Sequence, residues 1–310
     1  MEQPQTTVQE QPTSTPAQSI APAAPSPGGA VSPQACTTCG QTPVANLATT
    51  GPAPVPPPCI YVIGHIEPRF PLLSIEKEAS QAIARSGGGN GTDQQIMARL
   101  LRDQANKYIV QRLCWVLSVQ GVDTYILVPR DGDYQPLIDA YRAEPNPGDL
   151  ELVIGVRGPI ANPDLCNGLM VPIVIFDQIY AFDRKSLLDS IPKPEGADAQ
   201  KFSAAAGAVF DRITNQLDNA GATDANRATN YLSVRSGDIY SLAAEQFNNN
   251  ASLTSIDVLP SPLNGARKLV DVVFSYTGRT SGVVSKFFAR VDVTECFPFL
   301  VSKMAPYYDR

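Results

Sequence analysis

Two cysteines in a C-x-x-C spacing, Cys36 and Cys39, give the clearest chemical signal in this sequence. Thiolates at this spacing can bind zinc, close a disulfide or act as a redox pair, and the pair can also be inert. A structural zinc site takes four ligands in a tetrahedron, and the sequence has no second C-x-x-C. We predict that Cys36, Cys39 and Cys59 are ligands of a structural zinc ion, completed by another side chain or by a second copy of the chain.

His65 is the single histidine of the sequence and therefore the only imidazole that could act as the base in nucleophilic catalysis. A serine or cysteine nucleophile needs such a base and a third group that orients it. No G-x-S-x-G motif accompanies His65, so we expect a strand-end histidine and no catalytic residues. The alternative is a cryptic peptide-modifying enzyme that uses Cys166 or His65 with a nearby acid, Asp164 or Glu67.

The cysteine content favours a reducing compartment. Six cysteines in 310 residues are too few for a disulfide framework, and the N-terminal stretch "MEQPQTTVQE" lacks the features of a signal peptide. We therefore expect a bacterial cytoplasmic protein in which Cys114 is a small buried residue of a helix and Cys296 is a packing residue.

The charge of the chain excludes two classes of partner. The net charge is -6 and the isoelectric point is about 4.9, with no basic block. Such a protein is a poor ligand for nucleic acid or for an anionic membrane. Its longest apolar runs are also much shorter than the roughly 18 residues that a membrane-spanning helix needs. We expect no nucleic-acid partner and no membrane association.

The composition divides the chain into two parts. Residues 1–58 are rich in Pro, Gln, Ala and Thr and end in "GPAPVPPP". A segment of this kind buries too little apolar surface to offset its conformational entropy. We predict a disordered tether over residues 1–58, carrying the C-x-x-C, and one folded domain over residues 59–310.

The folded domain alternates strand and helix patterns before ending in a cluster of strands. The most regular helical spacing lies in "TDQQIMARLLRDQANKYIVQRLCWVLSVQG", from Thr92 to Gly121, and predicts one long central helix. Ser74 is the predicted N-cap of the preceding helix. Helical pieces split near Ser236, and four strands with a turn at "TGRTSG" close the chain. The pattern is α+β: a mixed or antiparallel sheet packed with several helices.

Several long stretches also resemble a known family. They are "YIVQRLCWVLSVQGVDTYILVPRD", "VIGVRGPIANPDLCNGLMVPIVIFDQIYAFD", "ATDANRATNYLSVRSGDIYSLAAE" and "FFARVDVTECFPFLVSKMAPYYDR". The chain from about Cys59 to Arg310 is similar to the C-terminal domain of the cyanobactin maturation proteins PatA and PatG, a domain of unknown function.

The resemblance implies an accessory role in making ribosomally derived, modified peptides. In that family the domain follows a subtilisin-like protease domain, and the resemblance suggests a zinc-containing homodimer. The protease triad of Asp, His and Ser is absent, because the one histidine falls inside the family-like domain. The expected function is therefore a non-catalytic interaction domain whose partners are a second copy, a maturation protease or a precursor peptide. A purely structural zinc-stapled homodimer is a further alternative.

Overall fold

The N-terminal half of the folded chain forms a closed five-stranded barrel in the computed structural model, which describes residues 58–193 and 198–308. Its strands are β1 (Cys59–Arg69), β2 (Cys114–Val119), β3 (Val122–Pro129), β4 (Asp149–Ile160) and β5 (Pro172–Asp183). They are arranged in the order β1-β2-β3-β5-β4. The β3–β5 pair is parallel and the other pairs are antiparallel, so the barrel is mixed.

Strand β1 closes the barrel by changing partners along its length. Cys59 to Gly64 pair with β4, whereas His65 to Arg69 pair with β2. Glycine is needed at the change, because a Cβ on Gly64 would clash with the carbonyl oxygen of Ser118. The first half of β1 is buried on both faces, which explains its uninterrupted apolar sequence.

Four helices and a short 3-10 turn pack against the N-terminal strands. They are α1 (Leu73–Arg85), α2 (Asp93–Arg102), the 3-10 turn Gln104–Asn106, α3 (Lys107–Val110) and α4 (Gln135–Ala140). The N-cap of α1 is Leu72 and makes no side-chain hydrogen bond, so the predicted cap at Ser74 is wrong.

The predicted long helix from Thr92 to Gly121 is also wrong. Asp103 ends α2, and its carboxylate accepts a hydrogen bond from the Ala105 amide, which starts the 3-10 turn. The segment from Cys114 to Val119 is strand β2, with five of its six residues buried. A short run that is apolar all round fits a buried strand as well as a buried helix, and here the barrel decides between them.

The C-terminal half forms a four-stranded antiparallel sheet and a helical layer. The strands are β6 (Ala251–Pro260), β7 (Leu269–Gly278), β8 (Val284–Asp292) and β9 (Phe299–Pro306), in that spatial order. The helices are α5 (Arg184–Asp189), α6 (Ala199–Thr214), α7 (Asp224–Arg235) and α8 (Gly237–Asn248). The hydrophobic core shared by these helices includes the inner face of the sheet and the outward side chains of β1 and β4, such as Tyr61 and Leu152.

A buried hydrogen-bond network holds α7 to the barrel. Asn230 donates to the carbonyl oxygen of Tyr61 at 2.9 Å, and its side-chain amide pairs with that of Asn219. The Tyr61 amide donates to the carbonyl oxygen of Gly221, also at 2.9 Å. Gly221 has a φ of +67°, and a Cβ at this position would clash with the Tyr61 carbonyl oxygen and with Val62.

The α+β prediction is confirmed, as are the helix break at Ser236 and the terminal strands. The tether prediction for residues 1–58 lies outside the described residues except at Pro58. Among the residues that the structure describes, no helix has the length and apolar character needed to cross a bilayer.

Candidate functional site

Four of the six cysteines are joined in two disulfides. Cys59 at the start of β1 is bonded to Cys296, which lies between β8 and β9, with Cα atoms 4.9 Å apart. Cys114 at the start of β2 is bonded to Cys166 in the β4–β5 connection, with Cα atoms 5.7 Å apart. Both separations suit a disulfide. The expectations of reduced packing cysteines, and of Cys114 on a helix, are therefore wrong.

These bridges change the predicted zinc site. In the disulfide form Cys59 has no thiolate to offer a metal, so its assignment as a third ligand is wrong for this form of the chain. Cys36 and Cys39 lie outside the described residues, and the zinc prediction for that pair stays a prediction. Within residues 58–193 and 198–308, no three His, Cys, Asp or Glu side chains converge in the manner of a metal site.

Cys166 and His65, two residues of the alternative catalytic set, are not brought together. Cys166 is bonded to Cys114, whose register partner on β1 is Arg69. His65 lies four residues away along β1, or about 13 Å at the usual rise of a strand. A sulfur held in a disulfide at that distance is not a nucleophile for a base at His65.

A polar cavity of about 380 Å³ lies where β1 leaves β4 for β2. It is lined by twelve residues of β1, α2, β4, the end of α4 and the segment that follows it: His65, Ile66, Glu67, Pro68, Gln94, Ala140, Tyr141, Arg142, Pro145, Asn146, Asp149 and Glu151. We call it the carboxylate cavity, after Glu67, Asp149 and Glu151.

Glu151 is the most unusual residue of the carboxylate cavity. The residue is only 5% exposed, and its Oε2 accepts a hydrogen bond of 3.1 Å from the Ile66 amide. That amide lies in the part of β1 that no longer pairs with β4, so the Glu151 carboxylate accepts its hydrogen bond just beyond the end of the β1–β4 pairing. Oε1 of Glu151 accepts no hydrogen bond from any residue that the structure describes.

Burial raises the pKa of Glu151 from its ordinary value of 4.5 to about 7. The hydrogen bond from the Ile66 amide and the charge of Arg142 oppose this rise, while the charge of Asp149 adds to it. A carboxyl group with a pKa near neutrality can hold or release a proton under cellular conditions.

The neighbouring residues are fixed by their own contacts. Asp149 forms an ion pair with Arg142 and accepts a hydrogen bond of 2.7 Å from the Asn146 amide. The Tyr141 hydroxyl donates to Gln94 Oε1 at 2.8 Å, and Gln94 Nε2 donates to the Arg142 carbonyl oxygen at 2.9 Å. These contacts hold the lining side chains in place in the absence of a ligand.

The cavity can bind and exchange protons, but its lining offers no acyl-transfer nucleophile. No Ser, Thr, Cys or Lys is among the lining residues. The sequence predicted His65 on a strand or just after one, and the structure places it in β1, but Glu151 was missed. The available signal was a lone carboxylate inside the apolar run "LELVIGV", since charged residues are seldom fully buried.

A second surface feature lies at the other end of the described chain. Phe297, Phe299 and Val301 are 47%, 46% and 44% exposed, and we call them the apolar strip. Phe299 and Val301 alternate with half-buried residues along β9, as expected for an outward-facing row on an edge strand. The strip begins one residue after Cys296, so it lies beside the point where the N-terminal segment enters the domain at Cys59.

Comparison with known proteins supports the resemblance seen in the sequence. Residues 196–307 match the family model described as PatG C-terminal. A solved structure described as "PatG Domain of Unknown Function" matches with a TM-score of 0.65 at 20% sequence identity, over 80% of this chain and 98% of the other. At that identity the structural match shows the fold. No curated protein sequence gives a significant match. The chain is therefore similar to the PatG C-terminal family over residues 196–307, and 80% of it shares the fold of the PatG domain of unknown function.

Proposed function

We propose that this chain is a non-catalytic accessory module that forms a homodimer and serves the maturation of ribosomally made, cyanobactin-type peptides. The peptide context rests on the similarity to PatG. The observation that carries the interaction role is the apolar strip beside the entry of the N-terminal segment.

The occupant proposed for the apolar strip is a second copy of the chain. Three large apolar side chains, each nearly half exposed, line one edge strand and the turn before it. Arg267 lies over the Phe299 ring at 5.9 Å, which gives the strip a polar rim. A two-fold contact at this place would bring the two N-terminal segments out side by side.

That arrangement would allow the cysteine pairs of two copies to share one zinc ion. Each chain supplies two thiolates at the C-x-x-C spacing, and a closed site needs four ligands. Cys39 and Cys59 are twenty residues apart, a length of chain that spans at most about 70 Å. Two such segments that start at one interface can meet, so the proposal places a structural zinc ion on Cys36 and Cys39 of both copies.

The remaining partners would be a subtilisin-like maturation protease or its precursor peptide. A dimer offers two copies of any weak binding surface, and joining them raises the effective concentration of the second contact. A pull-down with the tagged wild-type dimer, from an extract that contains both the protease and the precursor peptide, tests this role. If neither partner is recovered, the result would count against the peptide-maturation role.

Native mass measurement of the full chain tests the dimer. A Phe299→Asp/Val301→Asp variant should run as a monomer, because it places charge in the contact. The matched control is Leu217→Asp, at a residue that is 89% exposed in the α6–α7 connection, and it should stay dimeric. A wild-type monomer, or equal dissociation of both variants, would refute the assignment of the strip.

Elemental analysis of the same samples tests the metal. One zinc ion per two chains is expected in the wild type, with loss of zinc in a Cys36→Ala/Cys39→Ala variant. The absence of zinc from the wild type, or its retention by the variant, would refute the shared zinc site.

The proposed compartment is the bacterial cytoplasm, although cytosolic thiols are normally kept reduced and the structure has two disulfides. Alkylation of thiols inside intact cells, followed by peptide mapping, resolves this conflict. Bridges between Cys59 and Cys296 and between Cys114 and Cys166 at that stage would contradict the cytoplasmic assignment.

A further inference from the structure

The carboxylate cavity contains a buried acid that the fold satisfies on one side only. Glu151 is 5% exposed, and Oε2 is occupied by the Ile66 amide. Oε1 has no hydrogen-bond partner within residues 58–193 and 198–308, although Glu151 lines the cavity. Oε1 is not among the fully buried polar atoms that lack a partner, so it reaches the cavity, where it is an acceptor open to a donor.

The charges around Glu151 leave the cavity acidic. Asp149 and Arg142 form an ion pair and balance one another. Glu67 adds a further carboxylate at the rim, with its own contact to Arg69 at 3.7 Å. An ionised Glu151 is therefore an excess negative charge with one acceptor oxygen still open to a donor.

We propose that the carboxylate cavity binds a primary ammonium group, supplied by the N-terminus of a peptide or by a lysine side chain. The N–H donors of such a cation suit the open oxygen of Glu151, and Glu67, which lines the same cavity, adds negative charge. The cavity volume of about 380 Å³ admits an amino-acid-sized group and is too small for a folded domain. This site is separate from the apolar strip and does not depend on dimerisation.

A divalent cation fits the same residues less well. Hard cations require several oxygen ligands, and no three candidate ligands converge among the described residues. Asp149 has one oxygen on the Asn146 amide and the other on Arg142, so it has little left to give a metal. An ammonium group needs fewer acceptor oxygens than a divalent cation, so these residues are sufficient for it.

Binding of a cation should depend on pH. Glu151 must be ionised to attract the ligand, and its pKa is about 7, so affinity should rise about tenfold for each pH unit up to 7 and then level off. The other charged groups that face Glu151 are Arg142 and Asp149, with His65 and Glu67 at the cavity wall. The pH profile is therefore measured in the Glu151→Gln variant as well as in the wild type.

Three short peptides separate the two sources of the ammonium group. They are Ala-Ala-Ala-amide with a free N-terminus, acetyl-Ala-Lys-Ala-amide, and acetyl-Ala-Ala-Ala-amide as the uncharged control. Calorimetric titration into the full chain at pH 7.5 should show binding of the first, the second or both, and none of the third. Binding of all three alike, or of none, would overturn the proposal.

The matched variants are Glu151→Gln and Glu245→Gln. Gln can still accept the hydrogen bond from the Ile66 amide, so it removes the charge while keeping the contact. Affinity for the charged peptide should fall about ten- to hundredfold in Glu151→Gln, the loss of one charge-assisted hydrogen bond. Glu245, an exposed residue of α8 outside the cavity, should give no change when replaced.

A second measurement keeps the test valid if Glu151→Gln does not fold. Carbon-detected NMR of the side-chain carboxyl in the wild type gives the midpoint of Glu151 titration directly. The charged peptide should lower that midpoint, and the acetylated control should not. An unchanged midpoint with saturating charged peptide would refute a contact between the ammonium group and Glu151.

Discussion

Replacing Glu151 by Gln should remove a pH dependence of stability from this domain between pH 4.5 and pH 7. The pKa of the buried carboxyl is raised to about 7 in the folded chain, against an ordinary value of 4.5 when the chain unfolds. Between these two values the folded state holds a proton that the unfolded state has lost. The contribution of this group to stability must therefore fall as the pH rises through this range.

The magnitude follows from the difference of about 2.5 between the two pKa values. At about 1.4 kcal/mol for each unit, the wild type should lose about 3 kcal/mol of unfolding free energy from this group by pH 7.5. The loss begins above pH 4.5 and is complete above pH 7. The amide of the Glu151→Gln variant cannot ionise, so the variant should be more stable than the wild type at pH 8 by up to this amount and close to it at pH 4.5.

Urea denaturation at pH 4.5, 6 and 8 measures this difference. Comparing the Glu151→Gln curve with the wild-type curve cancels the other titrating groups, and Glu245→Gln controls for the loss of one carboxylate. If wild type and Glu151→Gln change in parallel from pH 4.5 to pH 8, Glu151 does not have a raised pKa in the folded state. The pH dependence expected for cation binding in the carboxylate cavity would then be wrong as well.

Three other substitutions test the packing of the remaining parts. Arg290→Ala should lower the unfolding free energy by about 3 kcal/mol, because it leaves Asp271 buried without its bidentate partner at 2.6 and 2.9 Å. Tyr276→Phe should raise it by about 1 kcal/mol, because the buried hydroxyl has no hydrogen-bond partner in the described part of the chain. Replacing Cys114 and Cys166 by Ala should lower it by about 4 kcal/mol, the chain-entropy value for a bridge across 52 residues. Chemical denaturation under non-reducing conditions measures all three.

Two of these substitutions, Arg290→Ala and Tyr276→Phe, have a counterpart that should behave differently. Arg130 pairs with Asp177 at the surface, so Arg130→Ala should change stability by less than about 1 kcal/mol. The Tyr240 hydroxyl donates to the Ser233 carbonyl oxygen at 2.5 Å, so Tyr240→Phe should lower stability by about 1 kcal/mol. A loss of stability in Tyr276→Phe, or equal effects of Arg290→Ala and Arg130→Ala, would contradict the packing described above.

Local patterns predicted the elements whose signals lie within a few residues. The helix break at Ser236 and the hairpin between Gly278 and Val284 depend on turn chemistry that the sequence states directly. The prediction of a helix over Cys114–Val119 was wrong because a run that is apolar on all sides is compatible with both a buried helix and a buried strand. Only pairing with β1 and β3, remote in sequence, makes it a strand.

The candidate sites depend even more on long-range contacts. No spacing rule pairs Cys59 with Cys296, because the bridge spans 237 residues and depends on where β8 ends relative to β1. The role of Glu151 likewise follows from the place where β1 changes partners, which is a property of barrel closure. The sequence shows a carboxylate in an apolar strand but does not show which backbone amide it meets.

The bridge between Cys59 and Cys296 has a mechanical consequence for the domain. A pull applied through the N-terminal segment and the C-terminus would pass across the sulfur–sulfur bond to Cys296 and along the last strand. The barrel and the helices lie within the covalent loop of 237 residues and would carry no load. An optical-trap experiment should therefore show a short extension in the oxidised chain, and release of the loop as a long additional step only after the bond is reduced.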